Sequence, residues 1–414
     1  MKAKNGTHVV GLDIGTTKIS CVVADVMDDG RIHIIGLGET PSRGLRKGVV
    51  VNLNATVEAV KNCLQQAELM AGIDIETAVV GIAGGHIRSF NSRGVVAVSG
   101  RDRTVTQEDI DRVMEAARAV NIPNDREILH VLPQEYVLDD QGSISSPMGM
   151  TGSRLEANVH IITAASTSVQ NLVTCVNRAG VEVQDTVLEQ LASSESVLTD
   201  DERELGVALI DIGGGTTDLA IFERGSKWHT SVLPVGGDHF SNDLAVGLRT
   251  PVPEAEKLKI RYGCALSSQV REDETIEVPT VGGRKPRLLS RQVMAEILQP
   301  RAEEIFNLIL KEITTAGFER VLNAGIVLTG GGSLLPGMVE VAEQVFDLPV
   351  RHGLPTGADG LVEPASGPEF ATVIGLALYG AHHASSTTGA RLRLRPGIVG
   401  AFNDRLRSWF SEVF

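Results

Sequence analysis

One pattern occurs twice in this chain, and the repetition limits the possible folds more than any other feature. In V-A-L-I-D-I-G-G-G-T-T-D-L-A-I-F (Val207 to Phe222), four apolar residues ending at Ile210 read as a buried strand. Asp211 closes it, Gly213 to Gly215 turn the chain, and Leu219 to Phe222 read as the returning strand. The same order stands earlier: an apolar strand from Val9 to Ile14, the turn G-L-D-I-G-T-T-K (Gly11 to Lys18), and a returning strand from Ile19 to Ala24. A repeat of this kind predicts two similar domains facing one another.

Each turn also carries chemistry. Consecutive glycines let backbone N–H groups converge on one point, so such a turn can cup an anion. A carboxylate at a buried strand end, beside phosphate-sized space, suits Mg²⁺ and a nucleotide. Taken singly, either stretch is equally a hairpin with a solvated aspartate. The shared D-I-G core favours the paired reading.

The likeness between the halves extends further. A third strand, Ile32 to Leu37, and a helix over Val57 to Ala71, apolar at Val57, Val60, Leu64, Ala67 and Met70, complete a first βββα unit. Strand Val79 to Ala83 runs into Gly84-Gly85, and strand Ile326 to Thr329 runs into Gly330 to Gly332. In the second case G-G-G-S-L-L-P-G (Gly330 to Gly337) leads into a helix from Met338 to Val345, a natural place for a phosphate or an adenine face. Neither G-x-x-x-x-G-K-[ST] nor G-x-G-x-x-G occurs, and no Ser-His-Asp or cysteine nucleophile pattern stands out.

Two insertions interrupt the repeat. Gly85 to about His160 holds a strand (Val95 to Val98), a helix opening T-Q-E-D-I with a capping box between Thr106 and Asp109, and a strand around Val131 to Leu138, hence a small α+β subdomain. Lys227 to Pro300 holds strands, the helix P-E-A-E-K-L-K-I-R-Y-G and a helix from Ser290 that kinks or ends near Pro300. Glu256 and Lys259 share one face of the former helix; the spacing also fits an ordinary solvated ion pair.

At 414 residues the chain exceeds a single core, and about three domains' worth of sequence is available. An apolar share of 42% and a charged share of 22% exclude disorder and fibres for most of it. Without a signal-like N-terminus or a long apolar run, the expected location is the cytoplasm. Cys21, Cys63, Cys175 and Cys264 lie far apart without metal-ligand spacing and read as reduced core residues. A net charge of −14 argues against a nucleic-acid partner.

After Tyr379 the composition turns to H-H-A-S-S-T-T-G, which reads as a linker. Beyond Pro396, Ile398, Val399, Phe402, Leu406, Trp409, Phe410 and Val413 form one apolar helical face that Phe414 extends, with Asn403, Arg405, Arg407 and Ser408 opposite. Such a helix beyond a linker suits a membrane surface or a partner groove. Shallow insertion and the cost of ordering make attachment weak for one molecule and firm only when several act together.

The two turns and the Gly330 loop resemble the phosphate and adenosine loops of the actin, heat-shock chaperone and sugar kinase ATPase superfamily. Within it, P-S-R-G (Pro41 to Gly44), H-V-L-P-Q-E-Y (His130 to Tyr136), L-A-S-S-E-S-V-L (Leu191 to Leu198), A-E-K-L-K (Ala255 to Lys259) and the amphipathic end are similar to the bacterial cell-division family FtsA over essentially the whole chain. The resemblance implies an α/β, actin-like duplicated ATPase fold of two RNase H-like domains, with the α+β insert and a C-terminal amphipathic helix. It places subdomain 1A at 1–84 and 162–205, 1C at 85–161, 2A at 206–226 and 301–381, and 2B at 227–300, followed by a linker at 382–396 and a membrane-targeting helix at 397–414.

ATP and Mg²⁺ are the implied cofactors. On that resemblance Asp13 and Asp211 hold the metal through water, while Gly15, Thr16 and Thr17 together with Gly213, Gly214, Gly215 and Thr216 offer backbone N–H groups to the phosphates, and Lys18 adds a contact. Glu256 and Lys259 reach ribose and base, Gly331, Gly332 and Ser333 meet the adenosine, and Glu189 stands where relatives orient the attacking water, unless it merely starts a helix. Gln190 departs from the proline common in the superfamily.

The function implied is a polymerising adaptor, at most a slow ATPase. It would tether the FtsZ ring to the inner face of the cytoplasmic membrane as a peripheral protein at the septum and recruit later division proteins through 1C. Its partners would be further copies of itself head to tail, the membrane surface, and the FtsZ C-terminal peptide on the 2B side. The basic loop Gly282 to Arg287 is a candidate receptor for that acidic peptide and equally a solvated loop. The alternative is a small-molecule kinase or phosphatase of the same superfamily, which needs a catalytic base in the cleft but no amphipathic end.

Overall fold

Strands and amphipathic helices sort into two lobes on one plan, in a computed structural model that describes residues 8–27, 29–100, 102–282, 285–360 and 365–387. The first lobe opens with an antiparallel meander of β1 (His8–Ile14), β2 (Lys18–Val26) and β3 (Ile32–Pro41). A small hairpin of β4 (Leu45–Arg46) and β5 (Val49–Val50) leads into α1 (Leu53–Ala71), which Asn52 caps by accepting from the Ala55 N–H and left-handed Gly72 ends. β6 (Thr77–Ile82) then joins β1 in parallel.

The first insert follows: β7 (Arg88–Ala97), α2 (Gln107–Arg118), β8 (Arg126–Leu138), β9 (Gln141–Ile144) and β10 (Arg154–Ala165). Its sheet runs in the order β7-β10-β8-β9, and the apolar side of α2, with Ile110, Val113 and Met114, closes a separate core over Leu155 and Ile161. The capping box between Thr106 and Asp109 forms as the sequence predicts. α3 (Ser166–Ala179), β11 (Glu182–Leu188), α4 (Glu189–Val197) and α5 (Asp200–Leu205) lead to the second lobe.

There β12 (Val207–Ile212), β13 (Thr217–Glu223) and β14 (Ser226–Leu233) repeat the meander. α6 (Gly237–Gly247), α7 (Val252–Tyr262), β15 (Thr275–Val278), β16 (Arg287–Ser290) and α8 (Arg291–Ala316) build the second insert and its return. β17 (Ile326–Thr329), α9 (Met338–Phe346), β18 (Val350–His352), β19 (Ala358–Gly360) and α10 (Ala371–Thr387) complete the described chain.

Sheet order shows the duplication directly. β11-β6-β1-β2-β3 in one lobe has its counterpart in β18-β17-β12-β13-β14 in the other. Alternation along each strand feeds two cores: Leu12 and Ile14 face α1 and α3, while Val9 and Val22 face α10. Likewise Ile210 and Ile212 face α8 and α9, whereas Val207 and Leu209 face the end of α4. α4 and α10 pack on each other between the lobes, so closely that a Cβ at Gly375 would collide with the Ala192 carbonyl.

Three features differ from the sequence reading. β19 pairs with β3, and Phe370, Val373, Ile374 and Ala377 pack under β1 and β2, so the stretch from about 358 onward completes the first lobe rather than extending the unit at 301–381. α8 runs as one 26-residue helix through Pro300; the proline removes one backbone bond, but Leu298, Ala302, Ile305 and Phe306 on both sides of it are held in one core. α10 continues to Thr387 where a linker was expected, because no glycine or proline intervenes before Gly389. There the His383 ring stacks 3.9 Å from Tyr379 and its Nδ1 donates to the Tyr379 carbonyl at 2.8 Å.

All four cysteines are buried thiols. The amphipathic stretch Ile398 to Phe414 and most of the linker lie outside the described residues, as do Gly283 and Arg284 of the basic loop. Among the described residues no helix is long and apolar enough to cross a membrane.

Candidate functional site

A cavity of about 390 Å³ opens between the lobes, and both repeated turns form its floor. The turns share one backbone device. The Gly15 N–H donates to the Lys18 carbonyl at 3.0 Å, and the Gly213 N–H donates to the Thr216 carbonyl at 2.9 Å. They also meet each other: a Cβ at Gly215 would lie 2.6 Å from Thr16 Oγ1, and one at Gly214 would strike Thr17. Glycine is therefore required there by the opposite lobe, not only by the turn.

Carboxylates crowd this floor. Asp13 and Asp211 are in β1 and β12 and Glu189 opens α4, while Asp218, the second residue of β13, stands behind them without lining the cavity. Asp211, which the sequence suggested as the end of its strand, is paired within it opposite Asp218. An added Cβ at Gly81 would sit 3.2 Å from Glu189 Cγ and 3.7 Å from Asp13 Oδ1, so these two acids flank one point from different elements. Burial raises the Asp13 carboxyl to about 7, against the pull of Lys18 and with a further push from Asp211. Burial also raises Asp211 to about 6, partly offset by the Thr372 hydroxyl, which donates to its Oδ2 at 3.1 Å. Glu189 and Asp218 stand well above the usual carboxylate range, first from burial and then from their acidic neighbours.

Two of the buried carboxylate oxygens have no partner within the chain. Asp13 Oδ1 and Asp218 Oδ1 accept no hydrogen bond. Among the described residues no three acids, histidines or cysteines converge closely enough to ligate an ion on their own. A divalent cation that keeps most of its water, as Mg²⁺ does, fits this arrangement: oxygen donors only, few direct ligands, and Asp13 and Asp211 both lining the cavity. Asp13 and Asp211 are the residues that would hold it, with Asp218 adding charge behind Asp211.

The cations that line the cavity are already paired. Lys18 Nζ meets Glu39 Oε2 at 3.0 Å and lies 3.5 Å over the Phe370 ring. Lys259 Nζ meets Glu256 Oε2 at 2.8 Å and donates to the Gly237 carbonyl at 3.0 Å. The Glu256–Lys259 pair is turned to the cavity and largely shielded, and Ser241 donates its hydroxyl to the same carboxylate.

At the far rim Gly331 and Gly332 begin a 3-10 turn, Gly331–Leu334, whose Leu334 joins exposed Ile260 in lining the cavity. Two apolar side chains beside an ion pair make a slot suited to a flat polar ring. Every residue singled out from the sequence as a site candidate in the two lobes lines this one cavity except Ser333. Its side chain is fully buried, and its hydroxyl donates to the Gly330 carbonyl at 2.7 Å.

Asp218, Asp238 and Thr372 were not singled out. Asp218 had a signal, since it ends the G-G-G-T-T-D run; Asp238 and Thr372 reach the cavity only through the fold.

Residues 208–375 match the family model described as Cell division protein FtsA, and residues 84–163 match the SHS2 domain inserted in FtsA. A curated relative named cell division protein FtsA from Pseudomonas aeruginosa is 52% identical over 91% of this chain and 90% of its own. The chain belongs to the FtsA family. An FtsA from Escherichia coli K12 is 42% identical over the full length of both chains, and one from Neisseria meningitidis is 47% identical over 98% of this chain and 99% of its own.

Solved structures agree on the fold. The PilM-PilN type IV pilus biogenesis complex aligns at a TM-score of 0.66 with 18% identity, covering 90% of this chain and 98% of that one. MreB5 of Spiroplasma citri bound to ADP aligns at 0.54 with 15% identity, covering 92% and 99%. At such identities the likeness is one of fold, the actin-like architecture, and the SHS2 insert rests on the family match.

Proposed function

We infer that this cell-division protein binds ATP with Mg²⁺ between its lobes and acts as a polymerising adaptor. In this reading it attaches the FtsZ ring to the cytoplasmic face of the inner membrane at the division site and recruits later division proteins. The observation that carries the nucleotide part is the cavity itself: two matched glycine turns from opposite lobes, with buried, partnerless carboxylate oxygens beneath them. Gly15, Thr16, Thr17 and Lys18 with Gly213, Gly214, Gly215 and Thr216 then surround the phosphates. Glu256, Lys259, Gly331 and Gly332 meet the nucleoside, and Glu189 stands beside Asp13 where a water would attack. Ser333 supports the Gly330 turn instead of touching ligand.

Attachment rests on the sequence of the tail, and assembly on the family. Several weakly inserting tails held in one filament bind far more firmly than one. The FtsZ C-terminal peptide remains assigned to the 2B side, residues 227–300. The rival reading, a small-molecule kinase or phosphatase, has less support, since it explains neither the amphipathic stretch from Ile398 to Phe414 nor the match to cell-division relatives over the whole chain.

Two measurements test this. In calorimetry, Asp211→Ala should abolish Mg-ATP binding; retained affinity would show that the acids do not serve the nucleotide. In liposome sedimentation, the full chain should pellet and a chain ending at Ala390 should not, and equal behaviour of the two would remove the membrane role.

A further inference from the structure

The hairpin β4–β5 has no role in the reading above, and it is built with unusual care. Its two turn residues, Lys47 at φ 51° and Gly48 at φ 74°, both lie in the left-handed region, as a tight two-residue turn between antiparallel strands requires. Gly48 cannot be replaced cheaply, because a Cβ there would lie 2.7 Å from the Ala83 carbonyl. At the first position such turns favour Asn, Asp or Gly, and here a lysine takes it. Arg103, Arg224 and Arg249 have a similar φ, so the turn fixes where Lys47 stands without by itself assigning it a role.

Location and charge supply one. The hairpin is pinned to the first-lobe phosphate turn from both sides: the Ser42 N–H donates to the Thr17 carbonyl at 2.9 Å, and the Gly48 N–H donates to Thr16 Oγ1 at 3.2 Å. Gly48 itself lines the cavity. Arg43, Arg46 and Lys47 are all exposed, and among the described residues none of them forms an ion pair. Inside the cavity, by contrast, carboxylates outnumber lysines and both lysines are neutralised by Glu39 and Glu256. On a chain of net charge −14, an incoming polyphosphate would meet a repulsive mouth.

We propose that Arg43, Arg46 and Lys47 form a cationic rim that draws the polyphosphate of a nucleotide into the cleft, with Lys47 fixed at the edge by its strained turn. The proposal rests on the nucleotide reading of the cavity and adds to it the residues that set the rate of entry. Steering of this kind accelerates association and fades with salt, whereas an uncharged nucleoside does not feel it.

The test is stopped-flow association of a fluorescent ATP analogue with Mg²⁺ on the full chain, against Arg43→Gln/Arg46→Gln/Lys47→Asn. Association should slow by about 3- to 10-fold at low ionic strength and converge with the parent near 1 M salt, where the Debye length is about 3 Å. Adenosine binding should not change. Equal rates and equal salt dependence in parent and variant would overturn the rim while leaving the cleft reading intact. Failure of the parent to bind Mg-ATP at all would remove the cleft reading and the rim with it.

Lys47→Asn alone separates charge from architecture. Asn suits the turn better, so its melting temperature should hold or rise while association slows. A fall in melting temperature would mark Lys47 as a packing residue and overturn its part. Should the triple variant fail to fold, Arg43→Gln/Arg46→Gln leaves the turn untouched and should still lower the salt dependence of association.

Discussion

The two phosphate turns have the same backbone and different side chains. In register, Asp13 faces Ser20 across the first hairpin, and Asp211 faces Asp218 across the second. Where the first turn closes on Lys18, the second closes on Thr216. The first hairpin therefore brings an acid with a cation beside it, and the second brings two acids and no cation of its own. Duplication fixed where backbone N–H groups and strand ends gather; divergence then assigned negative charge mainly to one side. A bound nucleotide with its metal ion would complete the balance that neither lobe achieves alone.

Making the halves alike should be costly. Ser20 is fully buried with a partnerless hydroxyl, so Ser20→Asp would give the first hairpin the acid of the second and set another carboxylate against Asp13. Denaturant titration should show a loss of roughly 3–5 kcal/mol, the usual cost of an uncompensated buried charge. Ser20→Ala should be nearly neutral; a large loss there would mean the hydroxyl has a role that its missing partner conceals.

Making the halves alike the other way should cost function and add stability. Asp218→Asn removes a buried carboxyl already displaced upward by burial and by Asp211. The nucleotide-free protein should gain roughly 1–2 kcal/mol and melt a few degrees higher. Mg-ATP affinity should fall, and unchanged affinity would show that Asp218 takes no part in the site.

A smaller effect concerns how the first insert rests on the second lobe. His160 of β10 is buried; its Nε2 lies 2.9 Å from Thr230 Oγ1 of β14 and its Nδ1 lies 2.7 Å from Asn91 Oδ1. Gln134 joins the seam by donating to the Trp228 carbonyl at 3.0 Å. Burial, with His229 nearby, lowers His160 from 6.5 to about 3. Because the folded form favours the neutral ring, stability is complete above about pH 6.5 and is lost as pH falls towards 3. At pH 5.5 the loss should approach ~1.4 kcal/mol and should vanish in His160→Gln, as thermal melts across pH would show.

Much of this was legible from residues. D-I-G in two places gave the two-lobed plan, and the T-Q-E-D box gave the start of α2, because turn and cap chemistry are local. What depends on contacts distant in sequence was hidden. Nothing in A-D-G (Ala358 to Gly360) announces an edge strand for β3, and the Thr372 hydroxyl meets Asp211 only because α10 returns between the lobes. Of the two outcomes open at Pro300, an end to the helix does not occur, as tertiary packing outweighs one lost backbone bond. The sequence places Ser333 at the ligand with the rest of its loop, but which way a short side chain turns depends on the nearest carbonyl, here that of Gly330.

The position of α10 has a mechanical consequence. Anything the chain carries beyond Thr387 is anchored through a helix bedded in the first lobe's sheet, although the residues just before β19 belong to the second. A load applied there reaches the first lobe through Val373, Ile374 and Ala377 and the second through Ala371 and the Thr372–Asp211 bond, and α10 meets α4 at Gly375 and Ala192. Tension on the tail and closure of the cleft would then share a single fulcrum.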